Sequence, residues 1–274
     1  MIRFVDVSFS YGERKVFEGI NLEIKKGEWV ALVGANGSGK STLVKLLNAI
    51  LIPTEGHVLI DGLDTRDEGA LWEIRRRVGV VFQNPDTQIV ASIVEDDIAF
   101  GPENLGLDPT EIRQRVDKVL EVLDLVPFRS SPTYALSGGQ KQKLAIAGAL
   151  AMKPEYLVLD EPTSMLDPPS RREINRILNY LYSKGDLTII YSTHNPEEIV
   201  LARRVIALVN GKIAFDGTPL EFFSNPDMVW EFGIRLPIIT HLCYRLRKRG
   251  LALTFPVFDP EELIDELWRL KSGM

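Results

Sequence analysis

Residues 34–41, Gly34-Ala35-Asn36-Gly37-Ser38-Gly39-Lys40-Ser41, have the types and spacing needed to hold phosphate. In the pattern G-x-x-x-x-G-K-[ST] the glycines let successive backbone N–H groups turn towards phosphate oxygens. A helix beginning at the same point adds the positive end of its dipole. Lys40 supplies a mobile cation for β and γ phosphates, and Ser41 offers a hydroxyl to Mg²⁺. A second group lies far downstream. Asp160 closes the apolar run Tyr156-Leu157-Val158-Leu159, where a carboxylate can hold Mg²⁺ directly or through water. Its neighbour Glu161 is placed to orient an attacking water or to act as its base. Gln83 and His194 also finish apolar runs, and both can reach a γ-phosphate or its water. Either residue alone reads as a polar strand end; together with the acids they read as a site. Finally, Ser137-Gly138-Gly139-Gln140 opens a second glycine-rich helix start, hence a second anion site in one chain. A simple phosphate-loop kinase or GTPase has no need of it.

Short apolar strands alternating with helices must position these residues. The run 29–33 is β-prone and residues 43–47 have helical spacing, so the phosphate loop sits in a strand–turn–helix. Residues 1–28 alternate apolar and polar positions around Tyr11-Gly12 and Lys26-Gly27, which predicts antiparallel β-structure with Tyr11 in the turn. Short strands are expected at 57–60, 78–82, 156–159 and 188–192, and a hairpin about Asn210-Gly211. Residues 84–150 read as mostly helical, with a capping box at Asp108-Pro109-Thr110-Glu111. This alternation predicts a mainly parallel sheet with its ligand at the C-terminal strand ends. From about Thr218 the pattern becomes irregular until a last helix capped at Asp259, with Leu263, Ile264, Leu267 and Leu270 on one face. Residues 221–274 are therefore expected to form a small helical appendage, its apolar stripe serving either as a contact between subunits or as core.

With 274 residues and 45% apolar composition the chain can bury a substantial core. A net charge of −6 and a pI near 5.3 argue against a nucleic-acid surface. The single cysteine, Cys243, excludes an intrachain disulfide and fits a reducing compartment. The N-terminus lacks the apolar core of a signal peptide, and no window approaches the roughly 18 apolar residues of a membrane span. If the protein serves a membrane process, another chain is expected to cross the bilayer.

The order of these motifs resembles that of the ATP-binding cassette (ABC) ATPases over residues 2–220. The resemblance implies an α/β fold: a P-loop NTPase core of ABC type with a mainly parallel sheet, an N-terminal antiparallel part and a helical subdomain at about 84–150. It implies ATP and Mg²⁺ as ligands. It implies nucleotide-binding roles for Tyr11, stacked on adenine, and for Gly34, Ala35, Asn36, Gly37, Ser38, Gly39, Lys40, Ser41 and Thr42. Catalysis would rest on Glu161, His194, Gln83 and Lys40, and the metal on Ser41, Gln83 and Asp160. The family dimerises head to tail, so Ser137, Gly138, Gly139 and Gln140 would contact ATP held by the opposite copy. Asp167 would belong to the D-loop, at the seam between the two cassettes. Lys141-Gln142-Lys143 and Met165 depart from the usual pattern away from the chemistry.

A narrower resemblance covers residues 81–105. Gln83-Asn84-Pro85-Asp86-Thr87-Gln88 and residues 97–104 look like the ATPase subunits of energy-coupling factor importers. Those import vitamins or cobalt and nickel. The partners implied are a second ABC ATPase subunit, identical or not, a transmembrane coupling subunit and a substrate-binding membrane subunit, with this chain peripheral on the cytoplasmic face. A DNA-maintenance ATPase would need a long coiled-coil insert, yet only about a hundred residues separate Lys40 from Ser137. A translation-factor ATPase would carry two cassettes. A soluble ATPase of cofactor assembly is the remaining alternative.

Overall fold

A computed structural model describes residues 1–185 and 187–272. The chain opens with a hairpin of β1 (Ile2–Tyr11) and β2 (Arg14–Ile24), then runs through β3 (Trp29–Val33), α1 (Lys40–Leu47), β4 (Glu55–Ile60), β5 (Leu63–Asp64), α2 (Leu71–Arg77) and β6 (Val78–Val81). Three helices follow, α3 (Val94–Asn104), α4 (Pro109–Val122) and α5 (Gly138–Ala151). The alternation resumes with β7 (Tyr156–Asp160), α6 (Pro168–Ser183), β8 (Thr188–Ser192), α7 (Pro196–Ile199), β9 (Arg204–Val209) and β10 (Lys212–Gly217). The chain continues through α8 (Pro219–Phe223), α9 (Pro226–Glu231), α10 (Ile238–Lys248) and α11 (Pro260–Ser272).

Two sheets organise the molecule. One is antiparallel, in the order β2-β1-β4-β5; the other has the order β10-β9-β3-β8-β7-β6 and is parallel except at the β10–β9 edge. β3, β7 and β8 are buried along their whole length, which is why they read as continuous apolar runs rather than alternating ones. Successive side chains go to opposite faces. Ala31, Val33, Leu157, Leu159, Ile189 and Tyr191 pack into the core shared with α5 and α6, while Val30, Leu32, Val158 and Ile190 pack with α1 and the antiparallel sheet. The parallel strands end together, so Gly34, Gln83, Glu161 and His194 all follow the C-terminal edge of one sheet.

The three helices between β6 and β7 fill the region expected to be helical. Asp108 caps α4 by accepting the Thr110 amide, with Pro109 in the first helical position, and Val116, Val119 and Leu120 form its buried face. The segment after β6 is tied by side chains to backbone. Gln88 accepts the Phe82 amide at 3.0 Å and donates to the Val80 carbonyl at 3.1 Å, so it reinforces the end of that strand. Asp97 accepts the Val90 and Ala91 amides at 2.7 and 2.9 Å, while its burial raises the carboxyl above the usual range.

The C-terminal part differs from expectation in two respects. Phe222, Phe223, Val229, Phe232, Ile234 and Leu236, all beyond the division expected at residue 220, belong to the main core, and Tyr244 and Phe258 pack against it. Beyond it a small separate core gathers Cys243, Leu253, Val257 and Leu263. Residues 238–248, expected to be irregular, form α10. Its start is rich in β-branched residues with weak helix propensity, and burial of Thr240 and Cys243 against the appendage core decides the conformation instead. On α11, Leu263 is buried and Leu267 and Leu270 pack against the same small core, whereas Ile264 stays half exposed. Most of the expected stripe is therefore core.

Candidate functional site

The loop between β3 and α1 owes its shape to backbone conformations that glycine adopts most readily. Gly34 has φ 147°, and a Cβ there would stand 2.3 Å from the Leu208 carbonyl oxygen. Gly39 has φ 111°, and its Cβ would meet the Phe17 ring at 2.5 Å. Gly39 is also the N-cap of α1 and supplies no side chain, so the first N–H groups of the helix have no side-chain cap. No acidic residue lies in the first turn. The buried Ser38 hydroxyl has no protein partner. Together these features make a cradle for an anion.

Beside it lies a cavity of about 400 Å³ bordered by Tyr11, Arg14, Gly37, Lys40, Ser41, Thr42, Gln83 and Glu161, among others. The structure thus brings the turn tyrosine, the phosphate loop, the residue after β6 and the residue after β7 to one space. Tyr11 is 47% exposed and steadied by an edge-on contact with Phe9 at 4.9 Å, which leaves its ring available for stacking. Sequence reasoning misses Arg14 as a site residue. Its position just past the Tyr11 turn is the only signal, and hairpin pairing with Tyr11 places it at the cavity wall.

Lys40 is 5% exposed, and a buried ammonium needs compensation. Its Nζ donates to the Gly34 carbonyl at 2.8 Å and the Ala35 carbonyl at 3.3 Å, and lies 3.6 Å from Glu161 Oε1. The other oxygen of Glu161, Oε2, is 3.5 Å from His194 Nδ1. Glu161 therefore stands between the cation of the phosphate loop and the histidine after β8. Its backbone has φ 45°, a left-handed conformation that costs a non-glycine residue of order 1–3 kcal/mol. The same conformation is held at six other non-glycine residues among those described, so at Glu161 it gains meaning only from the contacts with Lys40 and His194. Asp160, one residue earlier, is 6% exposed and its Oδ1 has no protein partner. A buried carboxylate oxygen without a donor suits a hard cation, so Asp160 fits Mg²⁺. Gln83 donates from Nε2 to Ser164 Oγ at 3.2 Å, and Ser164 Oγ donates to the Glu161 carbonyl at 2.9 Å, so the β6 and β7 ends are already linked.

The helix start expected to be a second anion site is not part of this cavity. Ser137 and Gly138 are exposed, and Ser137 caps α5 by accepting the Gln140 amide at 3.3 Å while Gln140 Oε1 accepts the Ser137 amide at 2.8 Å. Gly139 packs towards α6: a Cβ would come 2.7 Å from Ser170 Oγ. Asp167 caps α6 through the Ser170 amide at 3.3 Å, and the Ser170 side chain, followed by that amide, holds its carboxyl below the usual range. The Ser137 and Asp167 turns thus meet at Ser170 on the surface, apart from Lys40.

A family model described as "ABC transporter" matches residues 17–164. An energy-coupling factor transporter ATP-binding protein, EcfA1, from Caldanaerobacter subterraneus subsp. tengcongensis is 47% identical over 98% of this chain and 99% of its own length. Among solved structures, cbiO1 from Clostridium perfringens, described as part of the ABC transporter complex cbiONQ, superposes with TM-score 0.77 and 36% identity, covering 89% of this chain and 98% of its own. The ATP-binding cassette MJ0796, in a dimeric post-hydrolysis state bound to ADP and Pi, gives TM-score 0.72 and 31% identity over 80% of this chain and 99% of its own. With its phosphate cradle, its strand-end acids and these relatives over nearly its full length, the chain belongs to the ABC transporter family and is one of its ATP-binding, ATP-hydrolysing cassettes.

Proposed function

We propose that this cassette powers an importer of the energy-coupling factor type, driving uptake of a vitamin or a transition-metal ion through separate membrane subunits. Its kinship with EcfA1 supports this, as does the tied segment after β6, where Gln88 and Asp97 hold the backbone. Among the described residues no helix is long and apolar enough to cross a membrane. By its kinship with the energy-coupling factor ATPases the chain would work as a peripheral subunit on the cytoplasmic face, beside a transmembrane coupling subunit and a substrate-binding membrane subunit. The longest helix among the described residues, α6, has 16 residues, too short for the coiled coil of a DNA-maintenance ATPase.

The observation that carries the mechanism is Glu161 standing 3.6 Å from Lys40 and 3.5 Å from His194 at the wall of the cavity. When ATP enters, its β and γ phosphates take over Lys40 and the free amides of α1, releasing Glu161 from the ammonium. Glu161 then accepts a proton from the attacking water as the water oxygen bonds to the γ-phosphorus and the bond to the β–γ bridging oxygen breaks, releasing ADP and phosphate. His194 holds the γ-phosphate and that water in line. Asp160, Ser41 and Gln83 would hold Mg²⁺, which when bound neutralises charge on the phosphate oxygens. Tyr11 stacks on the adenine. Ser137 of a second cassette, identical or not, closes the site over the γ-phosphate with Gly138, Gly139 and Gln140, and Asp167 lines the seam. The appendage helps hold the two cassettes together before nucleotide binds, through apolar side chains left outside its small core, among them Ile238 at 75% and Ile264 at 50% exposure.

Glu161→Gln tests the scheme. The amide keeps size and removes the base, so ATP binding should persist and turnover fall by ~10²–10⁴. With Mg²⁺-ATP the variant should size as a trapped dimer; a monomer under all conditions contradicts a site shared by two copies. Co-purification of integral membrane subunits with the tagged chain tests the importer assignment, and their absence from detergent extracts contradicts it.

A further inference from the structure

Glu198 lies on α7, four residues beyond His194, and is 3% exposed. A carboxylate so deeply buried must be satisfied by donors. Its two oxygens accept different hydroxyls: Oε1 takes the Thr163 hydroxyl and Oε2 the Thr193 hydroxyl. Both threonines are themselves buried, at 2% and 3% exposure. Thr163 is two residues past Glu161, and Thr193 immediately precedes His194. One carboxylate therefore ties the turn carrying the base to the loop carrying the histidine. We propose that Glu198 is a positioning residue for ATP hydrolysis, setting the separation of Glu161 and His194 by gripping one hydroxyl from each of their segments.

The surrounding bonds leave this grip little freedom. A carboxylate only accepts, so both threonine hydroxyls donate to it. The Thr163 proton being committed, the Tyr191 hydroxyl at 3.3 Å donates to Thr163 Oγ1. Burial, and next the charge of Glu198, hold the Tyr191 phenol well above its ordinary pKa, so that proton is not lost. On the other side the Asn195 amide donates to Thr193 Oγ1 at 3.0 Å. Arg171 Nε stands 3.9 Å from Glu198 Oε1, and its Nη2 is 3.5 Å from the Thr163 carbonyl and 3.4 Å from that of Leu166. The same charge pair thus reaches the turn that ends at Asp167. Glu161, His194, Thr163, Thr193 and Glu198 border one small polar cavity of about 20 Å³, so a shift in any of them is felt by the rest. Glu198 does not border the nucleotide cavity, and it acts on the reaction only through its neighbours.

The inference rests on Glu161 and His194 acting on the water, so Glu161→Gln is measured alongside. In the full-length chain, Glu198→Gln should lower kcat about tenfold or more while the ATP dissociation constant stays within about twofold. Thr193→Val removes one arm of the grip and should lower kcat about fivefold; combined with Glu198→Gln it should add almost nothing, because both act through one bond. Three histidines are present, and the His194 ring resonance should shift in Glu198→Gln while those of His57 and His241 stay in place. If Glu198→Gln does not fold, Thr193→Val and Thr163→Val read the same arms. A kcat within twofold of wild type overturns the proposal, as do multiplicative effects of the pair. A loss of kcat matched by equal losses of ATP affinity and melting temperature also overturns it, since a merely structural tie does that. Undiminished turnover in Glu161→Gln instead removes the base assignment itself, independently of Glu198.

Discussion

Two helix starts in this chain are rich in glycine, and they are finished differently. α1 begins at Gly39 with no side-chain cap, its first amides left for a ligand. α5 begins at Ser137 with a complete capping box, Ser137 and Gln140 satisfying each other's backbone. The first sits inside a cavity with a buried lysine, where an anion arrives and stays within the same chain. The second is exposed on the surface and must be stable while alone. On the proposed reading, the start used only when another cassette approaches is kept satisfied by its own side chains, and the one used first is left open.

Lys40→Ala is expected to break the open start completely. The phosphates lose the cation that balances them, and turnover should fall by at least ~10²–10³ together with the nucleotide-dependent rise in melting temperature. A variant hydrolysing ATP at the original rate removes this cavity as the site. His194→Ala should come next, with turnover reduced ~10²-fold and ATP affinity nearly kept, because the histidine meets the γ-phosphate and water rather than the whole nucleotide. Titration calorimetry beside steady-state assays separates the two quantities.

Ser137→Ala sharpens the comparison. It should leave ATP binding to the single chain unchanged, as the thermal shift reports, yet weaken the ATP-trapped dimer of Glu161→Gln about tenfold, with ~1 kcal/mol lost from helix stability. If binding to the isolated chain weakens instead, the two starts serve the site of one copy. The smallest effect is expected from deleting residues 237–274, whose own small core is separate and which lend the main core the partly buried Tyr244 and Phe258. The truncated chain should stay folded with a melting temperature only a few degrees lower, and should size as a monomer without ATP. A folded truncation that remains dimeric without ATP places the contact between cassettes elsewhere.

Much of this site was legible because its chemistry is local. Gly34 to Ser41, Asp160-Glu161 and His194 each follow an apolar run, and apolar runs between helices dictate parallel strands whose ends converge. The helix start at Ser137-Gly138-Gly139-Gln140 was legible too, but not that Ser137 and Gln140 cap each other, which the structure added. The appendage was less so. α10 has β-branched residues at its start, and its helix is decided by what Thr240 and Cys243 are buried against.

The sequence alone determined which residues could bind phosphate, which could hold a metal and which could move a proton, because those capacities belong to side chains and to short backbone turns. Only the tertiary structure decided who meets whom. That Lys40 and His194 share Glu161 follows from β3, β7 and β8 lying side by side. The Glu198 carboxylate reads in the sequence as one more acid in a helix's first turn. Its grip on Thr163 and Thr193 depends on α7 folding back beneath two loops about thirty residues apart in the chain, where burial leaves a carboxylate no water and makes those hydroxyls its donors.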